Sequence, residues 1–306
     1  MLIFLAISIK TYHMLSIFLL RQQPLLMKTT APTWNRHIDT TNTNTLTEWS
    51  KFIRLNTIPQ TAFLVSMGAV QETQSVQSLY SVLKTKEFLS TAYATTLTTV
   101  AANIVNDYQD RFRDKRKQKH NLHERALPIL CTLYMKIFLI TTCSISSTST
   151  KNTIYIANAV LLCYTNYLKP VTGIKNVVCA TTVAMAIGVG AFSVHDTLQS
   201  VQHLMLRVFG SIWHREILMD IRDIHDDQES NIQTLPVTLG IRKAIVFSML
   251  PLCLSFLPTT NSLSCIFSSL SQLAVALSLF VTMSNLDFVI ESNPYFLLLS
   301  LIFMTQ

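Results

Sequence analysis

The sequence contains 306 residues, of which 49% are hydrophobic and only 13% are charged, about half the charged fraction of an ordinary soluble domain. This composition argues against a soluble helical bundle, because too few polar residues are present to cover its outer surface. The net charge of +7 lies in polar segments between long apolar runs, so it favours membrane lipids or an anionic substrate as partners over nucleic acid.

The first 47 residues are predicted to be a separate N-terminal segment (1–47), followed by a single domain over 48–306. Residues 1–38 carry four basic residues and no acidic residue, which is typical of an organelle-targeting segment. A signal anchor, or a true start at Met27, would give the same pattern. Residues 37–47 are predicted to form a disordered polar linker. This segment therefore favours an organelle membrane, of a plastid or a mitochondrion, as the location.

Nine apolar stretches along the domain are long enough to cross a bilayer as helices. The basic residues of the connecting segments lie mostly on one side, which the positive-inside rule assigns to the cytosol or its organellar equivalent. The sequence therefore predicts an all-α integral membrane protein with about nine transmembrane helices. The predicted spans are 49–68, 88–106, 126–144, 152–169, 174–194, 199–218, 243–258, 263–284 and 289–305.

Three aspartates follow the second predicted span, in the sequence NDYQDRFRD. Asp107, Asp110 and Asp114 are spaced i, i+3, i+7, which places their carboxylates on one face of a helix that continues from 88–106. Like charges in one stripe repel one another unless cations lie between them. Mg²⁺ prefers carboxylate ligands and shares its coordination shell with substrate phosphates. The triad therefore predicts a Mg²⁺ site.

The same spacing recurs after the sixth predicted span, in the sequence DIRDIHDD. Asp220, Asp223 and Asp227 form this second triad, and Glu216 extends its acidic face one turn toward the membrane. Asp226 lies off this face and is predicted to be solvated. The predicted topology places both triads on the same side of the membrane. Together they predict Mg²⁺ ions that hold a phosphorylated substrate between two helix ends.

Both triads, with the turns that follow them, resemble the motifs of the UbiA-type intramembrane prenyltransferases. NDYQDRFRD is followed by ERALP at 124–128, and DIRDIHDD is followed by TLPVTLG at 234–240. The resemblance runs from about Phe52 to the C-terminus. It has departures: Ala126 replaces a proline of the first turn, and Asn231 stands where relatives usually have glycine. Because asparagine tolerates a left-handed backbone, we expect the second turn to be kept.

The resemblance implies a helical bundle around a central cavity that opens to the lipid. It implies that Asn106 and the first triad bind Mg²⁺ and the diphosphate of the substrate, and that the second triad binds them from the opposite side. Lys169 matches a family lysine that contacts the diphosphate near a tyrosine, which is either Tyr164 or Tyr167. Arg54 resembles an arginine that many members carry at the start of the first span. A basic residue that extends from a helix end to the membrane surface would explain Lys169 or Arg54 equally well.

The predicted reaction is Mg²⁺-dependent transfer of a polyprenyl group from a polyprenyl diphosphate to a lipophilic acceptor. Cations neutralise the charge that builds on the departing diphosphate, so they speed its release. The catalytic residues of this prediction are Asp107, Asp110, Asp220 and Asp223, with positive charge added by Lys169, Arg222 or Arg111.

Several acceptors are compatible with the resemblance. An aromatic quinone precursor is favoured because it is the commonest acceptor in the family, while chlorophyllide, haem and glyceryl-ether acceptors also occur there. A terpene cyclase, in which the prenyl cation closes on itself, would use the same site without an acceptor. A channel is disfavoured, because the acidic residues cluster on one side instead of following a path through the bilayer.

Overall fold

The computed structural model describes residues 50, 52–73, 76–110, 123–164, 168, 171–229, 231–256, 273 and 286–304. The chain divides into two units, Met1–Thr45 and Leu46–Gln306, and every described residue belongs to the second. The predicted N-terminal segment 1–47 therefore lies outside the described residues. Within the described ranges the regular structure is entirely helical, in eleven helices. They are α1 (Thr57–Thr73), α2 (Val76–Leu83), α3 (Lys86–Asp110), α4 (His123–Cys143), α5 (Thr148–Cys163), α6 (Ile174–Phe192), α7 (Gln202–Arg222), α8 (Ile224–Glu229), α9 (Leu235–Leu239), α10 (Ile241–Leu254) and α11 (Leu286–Met304).

Eight of the nine predicted spans coincide with described helices, and the all-helical class is confirmed for the described part of the chain. The remaining span, 263–284, lies outside that part except for Leu273. Among the described helices, α6 alone is both long enough and apolar enough in composition to cross a membrane, and half of it is buried against its neighbours. The count of nine spans and the central cavity stay predictions.

Helices α1 and α6 cross at a contact between their backbones, which two glycines permit. A Cβ at Gly68 of α1 would lie 1.9 Å from the carbonyl oxygen of Ile187 in α6. A Cβ at Gly190 of α6 would lie equally close, 1.9 Å, to the carbonyl oxygen of Val65 in α1. Backbone atoms cannot move aside as a flexible side chain can, so these glycines determine how closely the two helices approach.

Gly190→Ala is expected to destabilise the protein by about 1–3 kcal/mol, because its Cβ would force the two helices apart. Thermal unfolding of the purified protein in detergent measures this loss. Gly188→Ala is the matched control, since a Cβ there would meet only side-chain atoms of Leu198 and Met205, at 3.2 and 3.3 Å. Equal melting temperatures for the two variants would contradict the close backbone contact.

The start of α5 is fixed by side chains from two other segments. The carboxylate of Glu87, in the first turn of α3, accepts hydrogen bonds from the backbone N–H of Ser146 at 2.7 Å and of Ser147 at 3.1 Å. Ser147 is the N-cap of α5, and its hydroxyl donates to Asp196 at 2.7 Å. Glu87 precedes Asp107 by about 30 Å along α3. These contacts therefore hold the bundle at the end opposite the first triad.

Helix α7 has two long faces of different character. His214 lies on the face that packs on α10, where its Nδ1 is 2.9 Å from the carbonyl oxygen of Ser248. Gly210 lies on the same face, and a Cβ there would be 2.3 Å from a carbonyl oxygen of α10. Glu216 and Asp220 lie on the opposite face, about half a turn away around the helix. The packing of α7 on α10 thus fixes which face carries the acidic residues.

Candidate active site

Asp107 of the first triad is paired with Arg54, 53 residues earlier in the chain. Arg54 Nη2 lies 3.1 Å from Asp107 Oδ1, and the Asp107 side chain is only 17% exposed. Arg54 precedes α1, while Asp107 lies in the last turn of α3. The ion pair therefore joins the approach to the first helix with the first triad, and it places Arg54 at the predicted site.

The backbone around Arg54 is unusual and well anchored. Arg54 has a φ of 49°, in the left-handed region that few non-glycine residues adopt. Its carbonyl oxygen accepts hydrogen bonds from the N–H of Thr57 at 2.8 Å and from the Thr57 hydroxyl at 2.9 Å. Asn103 of α3 donates to the Thr57 hydroxyl at 3.1 Å and to the carbonyl of Ile53 at 3.3 Å. Surrounding bonds of this kind allow a strained residue to persist at a functional site.

The remaining members of the first motif are only partly described. Asn106 lies half-buried beside Asp107 in α3, and Asp110 is the last residue of that helix. The side chain of Asp110 and the whole of Asp114 lie outside the described residues. The predicted face of three carboxylates stays a prediction, with Asp107 as its described member.

Asp220 of the second triad is almost fully buried, with 4% of its side chain exposed. Its Oδ1 forms an ion pair with Lys175 Nζ, and its Oδ2 accepts a hydrogen bond from Asn176 Nδ2 at 2.9 Å. Both partners come from the first turn of α6. A buried carboxylate is tolerated when charge and hydrogen bonds compensate it, as they do at both oxygens here.

The second triad does not lie on one continuous helix, in contrast to the prediction. Helix α7 ends at Arg222, Asp223 is its C-cap, and Asp227 lies in α8. The N–H of Asp223 donates to the carbonyl of Met219 at 3.0 Å, and the N–H of Asp227 donates to the carbonyl of Asp223 at 3.0 Å, so Asp223 ends α7 and precedes α8. Arg222 Nε donates to Asp223 Oδ1 at 3.0 Å, and this hydrogen bond raises the pKa of the guanidinium.

Asp227 provides the structural evidence that the second triad suits a cation. Its Oδ2 is buried and has no partner at hydrogen-bond distance among the described residues, although the Thr234 side chain lies near the carboxylate. Burial raises the pKa of this carboxyl, although the nearby charge of Lys175 opposes that effect. An anionic oxygen of this kind is the donor that Mg²⁺ prefers. Within the described ranges no three His, Cys, Asp or Glu side chains already form a metal site, so Asp227 would need ligands from elsewhere in the site.

The turn after the second triad keeps its predicted form only in part. Asn231 has a φ of 54°, which confirms the left-handed backbone expected of an asparagine in place of glycine. The residues 235–239 form the short helix α9, where the sequence suggested a loop, and Gly240 ends it with a φ of 83°. Pro236 lies in the first turn of that helix, a position that suits proline because no backbone donor is needed there.

Tyr164 is the predicted tyrosine that the structure describes, and it lies near the second triad. It is the buried C-cap of α5, and its hydroxyl accepts a hydrogen bond from Cys179 Sγ of α6 at 3.2 Å. It lies close enough to Asp220 for the two groups to interact electrostatically. Lys169 and Tyr167 lie outside the described residues, so their predicted contacts stay predictions.

Glu216 connects the two halves of the site. It lies in α7, one turn before Asp220, and its side chain is 19% exposed. Its charge interacts with Lys175 at the start of α6 and also with Arg54, the partner of Asp107. The two acidic motifs therefore face a common region.

Lys175 and Asn176 are site residues that the sequence did not single out. Lys175 is one of the basic residues on the charged side of the predicted topology, and the sequence predicts no particular role for Asn176. A lysine at the start of an apolar helix usually extends toward the headgroups, so its pairing with an aspartate 45 residues away has no local sequence signal. An asparagine in the first turn of an apolar span was the available hint, since buried polar groups in a membrane protein are costly unless they have a role.

The sequence is similar to a known protein family and to curated proteins. The model of the UbiA prenyltransferase family matches residues 62–298. Digeranylgeranylglyceryl phosphate synthase of Halobacterium salinarum is 29% identical over 160 residues, covering 51% of this chain and 58% of that protein. The synthase of the same name from Natronomonas pharaonis is 26% identical over 168 residues, covering 50% and 57%. The chain thus spans a little more than half the length of these curated relatives.

Solved structures share the fold at low sequence identity. One reported for digeranylgeranylglyceryl phosphate synthase matches with a TM-score of 0.65 at 15% identity, covering 85% of this chain and 97% of that chain. A UbiA homologue from Archaeoglobus fulgidus, solved with DMAPP and Mg²⁺, matches with a TM-score of 0.58 at 12% identity, covering 84% and 97%. These likenesses agree with the helical order described above.

Proposed function

The chain belongs to the UbiA prenyltransferase family, and we propose that it transfers a polyprenyl group from an allylic diphosphate to a lipophilic acceptor, releasing diphosphate. The observation that supports this most directly is the convergence of two ion pairs, Arg54 with Asp107 and Lys175 with Asp220, on one region. A diphosphate with bound Mg²⁺ needs acidic groups to hold the metal and basic groups to hold the phosphates. Each half of the site contains one acidic and one basic group of this kind.

Mg²⁺ is the proposed cofactor, and it would neutralise the charge that develops on the leaving diphosphate. The acidic residues suited to hold it are those of the two triads. Asp227 is the best supported, because one of its oxygens is buried and unpaired among the described residues. Asp223 is partly exposed at the C-cap of α7 and can turn toward a substrate. The proposed metal ligands are Asp107, Asp110, Asp114, Asp220, Asp223 and Asp227.

The basic side chains are proposed to bind the diphosphate. Arg54 and Lys175 approach from the starts of α1 and α6, so a diphosphate between the triads would be bound by fixed positive charge on both sides. Arg222 is exposed beside Asp223 and would contact the outer phosphate. Tyr164 is buried next to Asp220 and would border the allylic end of the donor. A buried aromatic ring at that point would help to keep water away from a reactive allylic cation.

A glyceryl hydroxyl is the proposed nucleophile of the acceptor, because the curated relatives are named digeranylgeranylglyceryl phosphate synthases. The aromatic acceptor predicted from the sequence is the alternative, and a cyclase without an acceptor is the third reading. Members of the family are integral membrane proteins, so we place the reaction in a membrane. Residues 1–47 suggest that this membrane belongs to an organelle. That location is a further proposal, which the curated relatives do not support because they are haloarchaeal.

One assay separates these functions. Purified protein in lipid nanodiscs is given geranylgeranyl diphosphate and Mg²⁺, with geranylgeranylglyceryl phosphate, homogentisate or no acceptor. We expect diphosphate release that requires Mg²⁺ and geranylgeranylglyceryl phosphate. Release with homogentisate alone would assign the aromatic acceptor, and release without an acceptor, with a cyclic hydrocarbon product, would assign a cyclase. No release under any of these conditions would contradict the proposed function.

A further inference from the structure

Glu216 belongs to neither aspartate triad, yet it lies inside the candidate site. It is on the same face of α7 as Asp220, four residues nearer the apolar part of the helix, which is about 6 Å along the axis. Its side chain is 19% exposed. A carboxylate placed this deep in a membrane protein is costly and is retained chiefly where it has a function.

The surroundings of Glu216 come from every part of the chain that forms the site. Groups before α1, at the end of α5, in the first two turns of α6 and along α7 all interact with its charge. The interacting residues are Arg54, Tyr164, Lys175, Cys179, Arg215 and Asp220.

The carboxylate of Glu216 has no hydrogen-bond partner among the described residues, whereas each oxygen of Asp220 has one. Both oxygens of Asp220 are engaged by Lys175 and Asn176. Glu216 Oε1 lies 3.6 Å from Arg215 Nη1, which is too long for a hydrogen bond. Among the residues that the structure describes, none forms a hydrogen bond with the Glu216 carboxylate. Arg215 balances its charge, and neither oxygen accepts a hydrogen bond from the described part of the chain.

The position of Glu216 matches the place where the proposed reaction joins the allylic carbon to the acceptor. If the triads hold the diphosphate, the allylic carbon must extend from them toward the apolar interior, where the prenyl chain is buried. Glu216 lies on that interior side of Asp220, so it borders the place where the allylic carbon meets the acceptor. A carboxylate there is too far inside to be needed for the outer phosphate.

We propose that the Glu216 carboxylate binds the nucleophilic hydroxyl of the acceptor and removes its proton. The acceptor oxygen forms a bond to the allylic carbon, the bond from that carbon to the diphosphate oxygen breaks, and the electron pair leaves with the diphosphate. The hydroxyl proton passes to Glu216, which later returns it to water. This role rests on the proposed function and adds to it a residue outside the triads.

The first test compares transfer with donor binding in Glu216→Gln, which keeps the shape of the side chain and removes its basicity. Loss of a general base lowers a rate by about 100-fold or more, so we expect kcat with geranylgeranylglyceryl phosphate to fall by that amount. Calorimetric binding of geranylgeranyl diphosphate with Mg²⁺ should change by less than about threefold, since the triads are intact.

The second test uses an acceptor that loses its proton without the help of a general base. An analogue of geranylgeranylglyceryl phosphate that carries a thiol in place of the free hydroxyl ionises near a pH of about 8.5 without help from a base. With this analogue at pH 8.5, we expect Glu216→Gln to recover to within about tenfold of the wild-type rate. A purely structural defect would not recover with a more acidic acceptor.

Glu72→Gln is the matched control for loss of a partly buried glutamate. Glu72 lies in α1 and accepts a hydrogen bond from Ser200, outside both triads, so transfer should stay within about threefold of wild type. Unchanged transfer by Glu216→Gln would overturn the proposal. So would a joint loss of donor binding and transfer that the thiol acceptor does not restore. Wild-type protein that releases no diphosphate would instead contradict the proposed function.

Discussion

Replacing Asp107 by alanine is expected to lower Mg²⁺-dependent release of diphosphate by about 1,000-fold. The substitution removes a proposed metal ligand and at the same time releases Arg54, whose guanidinium is held 3.1 Å from Asp107 Oδ1. Two groups that would stabilise the leaving diphosphate are therefore lost together. Single-turnover measurement with labelled geranylgeranyl diphosphate reports the chemical step directly. Asp220→Ala should have a similar effect, because it removes the corresponding anchor of Lys175.

Asp226→Ala is the control for the two aspartate variants. Asp226 lies in α8 beside Asp227 but outside the i, i+3, i+7 pattern. Asp226 is half-buried, so it is less solvated than predicted, but its substitution should still change diphosphate release by less than about threefold because it lies off the acidic face. Full activity of Asp107→Ala, or a loss in Asp226→Ala as large as in Asp107→Ala, would contradict the assignment of the first triad.

Lys175→Met is expected to destabilise the folded protein by about 3 kcal/mol. Removal of one member of a buried ion pair leaves the other charge without compensation, at a cost of about 3–5 kcal/mol. The lower end applies because the Lys175 side chain is 21% exposed, whereas that of Asp220 is 4% exposed. The melting temperature of the purified protein, followed by tryptophan fluorescence in detergent, measures the loss.

A double variant separates the ion pair from other effects of Lys175. Lys175→Met combined with Asp220→Asn removes both charges, so no buried charge is left unpaired and part of the stability should return. Lys243→Met changes an exposed lysine at the start of α10 and should leave the melting temperature nearly unchanged. If the losses of stability of Lys175→Met and Asp220→Asn simply add up in the double variant, the two residues are not coupled.

The sequence identified the acidic motifs because spacing on a helix is a local property. A period of three to four residues predicts which carboxylates share a face, and Asp107, Asp220 and Asp223 lie at the ends of α3 and α7, whereas Asp227 lies in α8. The positive φ of Asn231 was predictable for the same reason, since a single residue type determines which backbone angles are accessible. The roles of the described motif members remain proposals that the variants above address.

The compensating partners could not be predicted, because they depend on tertiary packing. Nothing near Lys175 in the sequence distinguishes a lysine that pairs with Asp220 from one that reaches the headgroups. The interruption of the helix at Asp223 also has no sequence signal, because neither proline nor glycine lies at that point. Arg54 was a candidate through resemblance alone, and its partner became evident only when α1 and α3 were placed side by side.

The backbone contact of α1 with α6 has a consequence for the site itself. Arg54 precedes α1 and Lys175 begins α6, so the separation of these two basic groups depends on the angle at which the helices cross. The crossing at Gly190 lies about 24 Å along α6 from its first turn. A methyl group there would move the helix ends over a lever of that length. Gly190→Ala should therefore weaken binding of geranylgeranyl diphosphate as well as stability, although residue 190 contacts no substrate.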